Sequence, residues 1–313
     1  MTGRGLRANL SAMPTDSLVH DRTKLEPGAV TRLSPLVRRV IATNPSPFTF
    51  TGTCSYIVGQ GDVAIIDPGP NDAAHRAALL DAVKGERVVH ILVTHTHKDH
   101  SPGARALSVA TGAPVWGCAA HVPVEDHPSG RLDASHDIDY APDVEMRDDD
   151  ALQGAGFTLT AVHTPGHASN HLCFALSEEV SLFSGDHVMA WSTTVVAPPD
   201  GDMAAYMASL ERLAARPEDV YHPGHGAPVL NARRYVRGLA THRRQRENAI
   251  LARIRDGDAD IATIVARIYV GLDPRLVRAA SLSVLAHLQD MTARGLVASS
   301  DGAATLDANY TAT

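Results

Sequence analysis

The sequence is short of cysteine, net positive charge and long apolar runs, and each shortage removes a class of protein. Its three cysteines, Cys54, Cys118 and Cys173, stand far apart without C-x-x-C spacing. That pattern excludes a disulfide framework and a thiolate zinc site, and leaves three small buried residues in a reducing compartment. No apolar run approaches the roughly 18 residues needed to cross a bilayer, and residues 1–30 lack the apolar middle of a secretory signal. The expected location is cytoplasmic, with no membrane partner. A formal charge of −7 excludes a globally basic nucleic-acid binder, so any nucleic acid must be met by a local patch.

What is present describes an ordinary folded chain. Of the 313 residues, 44% are apolar and 20% charged, which suits one large domain or two unequal ones with an ample core. Residues 1–30 read as a mobile segment, with Met13 as an alternative start. Residues 31–235 read as a catalytic domain and residues 236–313 as a second module.

Local patterns give the element order. Residues 53–67 read as two β-rich runs around Gly59-Gln60-Gly61-Asp62, a hairpin stopped by Asp67-Pro68-Gly69-Pro70. Asn71 or Asp72 caps a helix whose Ala73, Ala77, Leu80 and Val83 recur at helical spacing. Residues 88–94 form a continuous apolar run, too short for a typical helix and suited to a strand buried on both faces. A helix from Pro102 and a strand at Pro114 to Cys118 follow. Between Ala119 and Gly156 the chain turns polar and reads as loop or lid. Strand patterns resume at 157–162, 172–176 and 181–183, then comes a helix from about Met203 to Ala215. From Pro228 to Ala293 the sequence reads as helix with breaks at Gly257-Asp258 and Asp273-Pro274, and two apolar runs then flank Ser300-Asp301-Gly302. Three helices and a hairpin make the order of a winged helix.

Chemistry concentrates in Thr94-His95-Thr96-His97-Lys98-Asp99-His100, where three imidazoles and a carboxylate follow a buried strand. Imidazole nitrogen and carboxylate oxygen together suit a borderline cation such as Zn²⁺. Later strand ends carry His163 in HTPGH, Asp186 in FSGDH and His225 in PGHG. Each lies beside glycine or proline, which let backbone approach a metal and stiffen the loop presenting it. The seven candidate ligands are His95, His97, Asp99, His100, His163, Asp186 and His225. His171 and Asn170 are expected to bind substrate or support a ligand, while His167 and His187 are expected to hydrogen-bond locally. His222 is expected to turn outward.

The set H-x-H-x-D-H, His, Asp, His resembles the metallo-β-lactamase superfamily. The resemblance implies an α/β fold, an αββα sandwich with metals at one edge, here followed by a C-terminal winged-helix module. It implies a first metal on His95, His97 and His163, a second on Asp99, His100 and His225, and Asp186 between them. Two zinc ions per chain would share a hydroxide that Asp99 orients, with Mn²⁺ or Fe²⁺ as substitutes. His97 stands where a diiron oxidoreductase branch has Glu, which favours zinc. The stretch after Asp186 and the helix containing His242-Arg243-Arg244 resemble the branch of the lactamase-beta-like endoribonuclease, which places Trp191 against substrate, although a packed core tryptophan is the plainer reading of that residue.

Three functions follow as expectations. The first is cleavage of single-stranded RNA, with Arg233, Arg234, Arg237, Arg243, Arg244, Arg246, Arg253 and Arg255 on one helical stretch available to phosphates. The second is hydrolysis of a small-molecule ester, thioester or lactone, as in glyoxalase II. The third is a winged-helix nucleic-acid-binding protein that keeps structural metals. An apolar face on the last helices would serve a homodimer.

Overall fold

The structure, a computed structural model, describes residues 20–122 and 136–313. The mobility expected of residues 1–19 lies outside them. Residues 20 and 21 each make a polar contact with the rest of the chain. The Asp21 N–H donates to the Ala190 carbonyl at 2.9 Å, and His20 Nδ1 lies 3.1 Å from the Tyr235 hydroxyl.

Among the described residues, the first sheet runs in chain order. Its strands are β1 (Thr31–Arg32), β2 (Val37–Ile41), β3 (Cys54–Gln60), β4 (Asp62–Ile66), β5 (Arg87–Val93), β6 (Val115–Gly117) and β7 (Val144–Glu145). Pairing is antiparallel through β4 and parallel from β4 to β7. The expected hairpin is β3 and β4. Parallel neighbours need crossovers, and α1 (Ala73–Ala82) and α2 (Gly103–Thr111) supply two. Asp72 caps α1 by accepting the His75 N–H.

The second sheet holds β8 (Ala151–Gly154), β9 (Phe157–His163), β10 (Leu172–Leu176), β11 (Ser181–Gly185), β12 (Val220–Pro223) and β13 (Val229–Leu230), in the order β13-β12-β11-β10-β9-β8. The stretch expected as loop or lid therefore contributes β7 and β8, which alternating hydrophobicity is too short to reveal. Residues 123–135 of it lie outside the description.

The pleat explains why the middle strands are apolar throughout. On β10, Leu172, Phe174 and Leu176 enter the core between the sheets, while Cys173 and Ala175 enter the core beneath the helices. On β11, Phe183 and Leu182 divide the same way. Against that second core lies α3 (Met203–Ala214), with Tyr206, Leu210 and Leu213. The result is the expected α/β sandwich of helices, sheet, sheet and helices. All three cysteines are free and buried, and burial pushes their thiols up, away from nucleophilic use.

The boundary expected at residues 235 and 236 falls inside a helix. The 24-residue α4 (Ala232–Arg255) buries Val236 and Leu239 with the sandwich and Ile250 and Ile254 with a third core. That third core is completed by α5 (Ile261–Ile268), a 3-10 turn at Pro274–Leu276, α6 (Val277–Ala293), β14 (Val297–Ser299) and β15 (Tyr310–Ala312). Helix breaks fall where Gly257 and Pro274 stop the chain.

Buried Arg243, near the middle of α4, donates to the Thr194 carbonyl and lies 5.1 Å over the Tyr206 ring. A buried hydrogen bond from a charged group is worth about 1.5–3 kcal/mol, with a further contribution from the ring. Arg243→Ala should cost about 2 kcal/mol and lower Tm by roughly 4–8 °C, readable by calorimetry. An unchanged Tm would show that the helix is held by its apolar face alone.

Candidate metal centre

Strand direction gathers the ligands at one edge. β4 and β5 run parallel, as do β11 and β12, and β9 and β11 are both antiparallel to β10. The C-terminal ends within each sheet therefore open together. Two cross-links bring the sheets together at this edge: the Leu172 N–H donates to the Thr94 carbonyl at 2.8 Å, and the Cys54 N–H to the Gly224 carbonyl at 2.7 Å.

Two groups of donors meet there. In one, His97 Nδ1 lies 2.9 Å from His95 Nε2 and 3.1 Å from His167 Nε2, and Asp186 Oδ2 stands 3.8 Å from His167 Nε2. In the other, Asp99 Oδ2 lies 3.3 Å from His100 Nε2 and 3.2 Å from His225 Nε2. Asp186 touches the second group too, at 3.5 Å from His100 and 3.3 Å from His225. Ligands bonded at 2.0–2.2 Å to one tetrahedral ion stand about 3.3 Å apart, so these spacings suit a cation.

One expected ligand is replaced. His163 is still part of β9, paired with Leu172, and its side chain is exposed with Nε2 3.4 Å from the Ser169 carbonyl. The chain then turns at Thr164-Pro165-Gly166 and returns His167 to the centre. Gly166 has φ of 134°, and a Cβ there would stand 2.3 Å from the Tyr206 Cα, so the turn and its packing both require glycine. His167, expected to bond only locally, thus stands where His163 was expected.

Neither His171 nor Trp191 faces the cavity: His171 takes the other role expected of it, supporting a ligand, and Trp191 is packed. His171 is fully buried behind His95, its Nε2 accepting the Asp186 N–H at 3.2 Å and its Nδ1 lying 2.9 Å from Thr164 Oγ1. Trp191 stacks on Phe50 at 5.0 Å and covers Gly226. His222, expected outward, is buried between Tyr56 and Phe183.

A second layer orients the imidazoles. Buried Asp67 accepts the Thr94 N–H and hydroxyl, both at 2.8 Å, and lies 2.9 Å from His100 Nδ1. Thr94 Oγ1 in turn lies 3.0 Å from His95 Nδ1. His167 Nδ1 is 2.7 Å from the Val195 carbonyl, and Thr53 Oγ1 donates to Asp99 at 3.0 Å. Each contact turns the other ring nitrogen or oxygen toward the centre. Asp67 was legible in the sequence only as the end of a strand.

The charges show what is missing. Burial first, then neighbouring imidazoles, push His95 and His97 well below the usual histidine range. Burial opposes charge on His100 and His225 also, yet Asp99 and Asp186 outweigh it and raise His225 to about 10. Burial would raise the two carboxyls, but His100 and His225 hold both well below the carboxylate range. His100 Nε2 and Asp186 Oδ1 are buried without a hydrogen bond. A Cβ on Gly224 would sit 2.4 Å from that Asp186 oxygen. Seven crowded donors with two orphaned atoms fit a bound cation.

Residues 48–225 match the metallo-beta-lactamase superfamily, and residues 261–304 match the beta-lactamase associated winged helix domain. The chain belongs to the metallo-beta-lactamase superfamily. It is a hydrolase of the metallo-beta-lactamase fold, and its donor clusters could hold metal. It is 31% identical over 256 residues to an atrochrysone carboxyl ACP thioesterase from Paecilomyces divaricatus, covering 80% of this chain and 75% of that one. It is 36% identical over 207 residues to a lactamase-like protein from Penicillium aethiopicum, covering 65% of this chain and 61% of the relative's length. A beta-lactamase domain protein from Burkholderia ambifaria has the same fold, with TM-score 0.77, 23% identity, and coverage of 95% of this chain and 97% of its own. A metallo-beta-lactamase family protein from Thermus thermophilus superposes with TM-score 0.71 and 23% identity, covering 90% of this chain and 100% of its own.

The two histidines of HTPGH separate in one experiment. After zinc loading, His167→Ala should bind about one equivalent less metal than the parent, and His163→Ala the same amount. Metal analysis giving the reverse would restore His163 to the centre.

Proposed function

We propose that this metallo-beta-lactamase family member hydrolyses an acyl thioester, with two zinc ions held by His95, His97, His167, Asp99, His100 and His225 and with Asp186 between them. The observation that carries the reading is the cavity over the cluster. It has a volume of about 910 Å³, and its walls are largely apolar, formed by Phe48, Met189, Val195, Ala197, Pro199 and Leu282. That size and chemistry suit a small organic acyl group. Relatives named as ACP thioesterases support the same class.

The endoribonuclease alternative is weakened in α4, where five of its eight arginines are engaged within the chain. Arg243 is buried, Arg244 pairs with Glu211 at 2.8 Å, and Arg246 lies 4.8 Å over the Tyr269 ring. Arg253 pairs with Asp258 at 2.6 Å and Arg233 with Asp219 at 3.4 Å. These guanidiniums are engaged within the chain. Single-stranded nucleic acid also calls for stacking platforms, and among the described residues lining the cavity Phe48 is the one phenyl or indole side chain.

The chemistry divides between ions and protein. Bound zinc would supply Lewis-acid polarisation of the thioester carbonyl and a water-derived nucleophile at neutral pH. Asp99, ionised and partly open to the cavity, accepts the proton of the attacking water and can return it to the departing thiolate. The Thr53 hydroxyl fixes its orientation. The apolar wall excludes bulk water from the acyl group and holds it against the cluster. Lys98 and Arg278 also line the cavity and present positive charge to an anionic leaving group or carrier, while Arg275 is paired with Asp273 at 2.7 Å. Leu282 and Ala279 come from α6, so the winged-helix module forms part of the wall.

A panel of acyl-CoA and acyl-pantetheine thioesters, run beside a labelled single-stranded RNA, decides between the two substrates. Thioester turnover should be lost on chelation and restored by zinc, and Asp99→Ala should reduce kcat/KM about 10²–10⁴-fold. RNA cleavage without thioester turnover would sink the proposal. Ala279→Glu, at a half-buried wall position on α6, should raise KM for long acyl groups and leave short ones little affected, because only the former reach α6.

A further inference from the structure

A third group of metal-type donors lies in the same cavity, outside both ligand clusters. His121, His136 and Asp200 bring two imidazoles and a carboxylate together, all three lining the cavity wall. The elements are distant in sequence, and the contacts of each are specific. His136 is tied to the strand end of the main centre by a bridge to His97, and its Nδ1 lies 3.0 Å from Thr96 Oγ1. That fixes the ring with Nε2 toward Asp200, at 3.4 Å from Oδ2. Asp200 is held in turn by Ser169, whose hydroxyl donates at 2.5 Å and whose N–H donates at 3.1 Å.

His121 supplies the independent observation. Its side chain is 2% exposed, and neither ring nitrogen makes a hydrogen bond. Its Nδ1 faces Asp200 Oδ1 at 3.9 Å, too far for a hydrogen bond. A buried polar atom left unsatisfied costs about 1–3 kcal/mol, and this ring carries two. The ring lies flat on His136, with centroids 3.7 Å apart and planes 4° from parallel. Packing alone accounts for the stack but not for the orphaned nitrogens beside a carboxylate.

We propose that His121, His136 and Asp200 form a third cation site, distinct from the two clusters at the strand ends, which takes a divalent transition metal such as zinc. Two imidazoles and one carboxylate are a borderline donor set. The separations of 3.4 Å, from His136 to Asp200 Oδ2, and 3.9 Å, from His121 to Asp200 Oδ1, lie within an ångström of the spacing on one ion. Parallel rings aim their lone pairs side by side, so binding must splay the stack. The terminal torsion of an imidazole is broad, and that adjustment is small. Three protein donors leave a coordination position open toward the cavity.

The test is a Zn²⁺ titration of the metal-free full-length protein, with bound metal counted by mass spectrometry after free ion is removed. His121→Phe, which keeps the stack, and Asp200→Asn, which keeps the shape and the Ser169 contacts, should each bind about one equivalent fewer than the parent. Co²⁺ bound to the remaining sites should give the same absorption spectrum in parent and variants. Equal stoichiometry in all three proteins overturns the site. So does loss of all metal from either variant, which would make these residues part of the main centre. If His121→Phe fails to fold, Asp200→Asn alone reads the difference, and neither outcome depends on which substrate the enzyme hydrolyses.

Discussion

Crowding five imidazoles and two carboxylates into a buried edge is the constraint on which the remaining architecture depends. None of these groups is stable there alone, because burial penalises each charge and neighbouring imidazoles repel one another's protons. Among the described residues the carboxylates of Asp99 and Asp186 raise His100 and His225 and are themselves lowered by them. A cation relieves both problems at once. The parallel strand ends, the close approach of Gly224 and the Asp67–Thr94 layer all serve to keep these donors at bonding distance when nothing else would.

The same edge is made selective by parts that carry no charge. The inter-sheet core fixes where β5 and β11 end, while the cavity above them is walled by the loop before α3 and by α6 of the C-terminal module. Catalytic groups therefore come from the sandwich, and much of the shape that a substrate meets comes from elsewhere. A wall built mostly of carbon beside a cluster built wholly of nitrogen and oxygen is what a neutral acyl group with a reactive carbonyl requires.

How much of this was legible in the sequence depended on contiguity. The block from Thr94 to His100 could be read because one buried strand delivers four donors in succession, and glycine or proline marked Asp186 and His225. The choice between His163 and His167 could not, since it turns on whether the strand ends before or after the first histidine. Spacing alone is silent on that point, although Pro165-Gly166 shows that a reversal follows. Which of its two expected roles His171 takes was not legible, because its partner, the Asp186 N–H, lies at the end of another strand. Trp191 could be read as packed or as facing substrate, and Phe50, on a distant loop, decides for packing. Arg243, Arg244 and Arg246 looked like part of one basic stripe only while their partners, the Thr194 carbonyl, Glu211 and Tyr269, were out of sight. Short strands such as β7 and β8 are set by pairing and not by their own composition.

The continuity of α4 across two cores has a consequence for how such enzymes can be recombined. Its first turns belong to the sandwich and its last turns to the winged helix, with Arg243 between them gripping the residue next to Val195, whose carbonyl orients His167. The two modules are thus geared rather than tethered. One residue inserted between Arg243 and Ile250 would turn the distal module by about 100° and advance it about 1.5 Å, carrying Leu282 away from the cavity. Exchange of this module between family members is therefore restricted to junctions that conserve helical phase, and a chimera joined in a different phase would present its substrate wall to solvent.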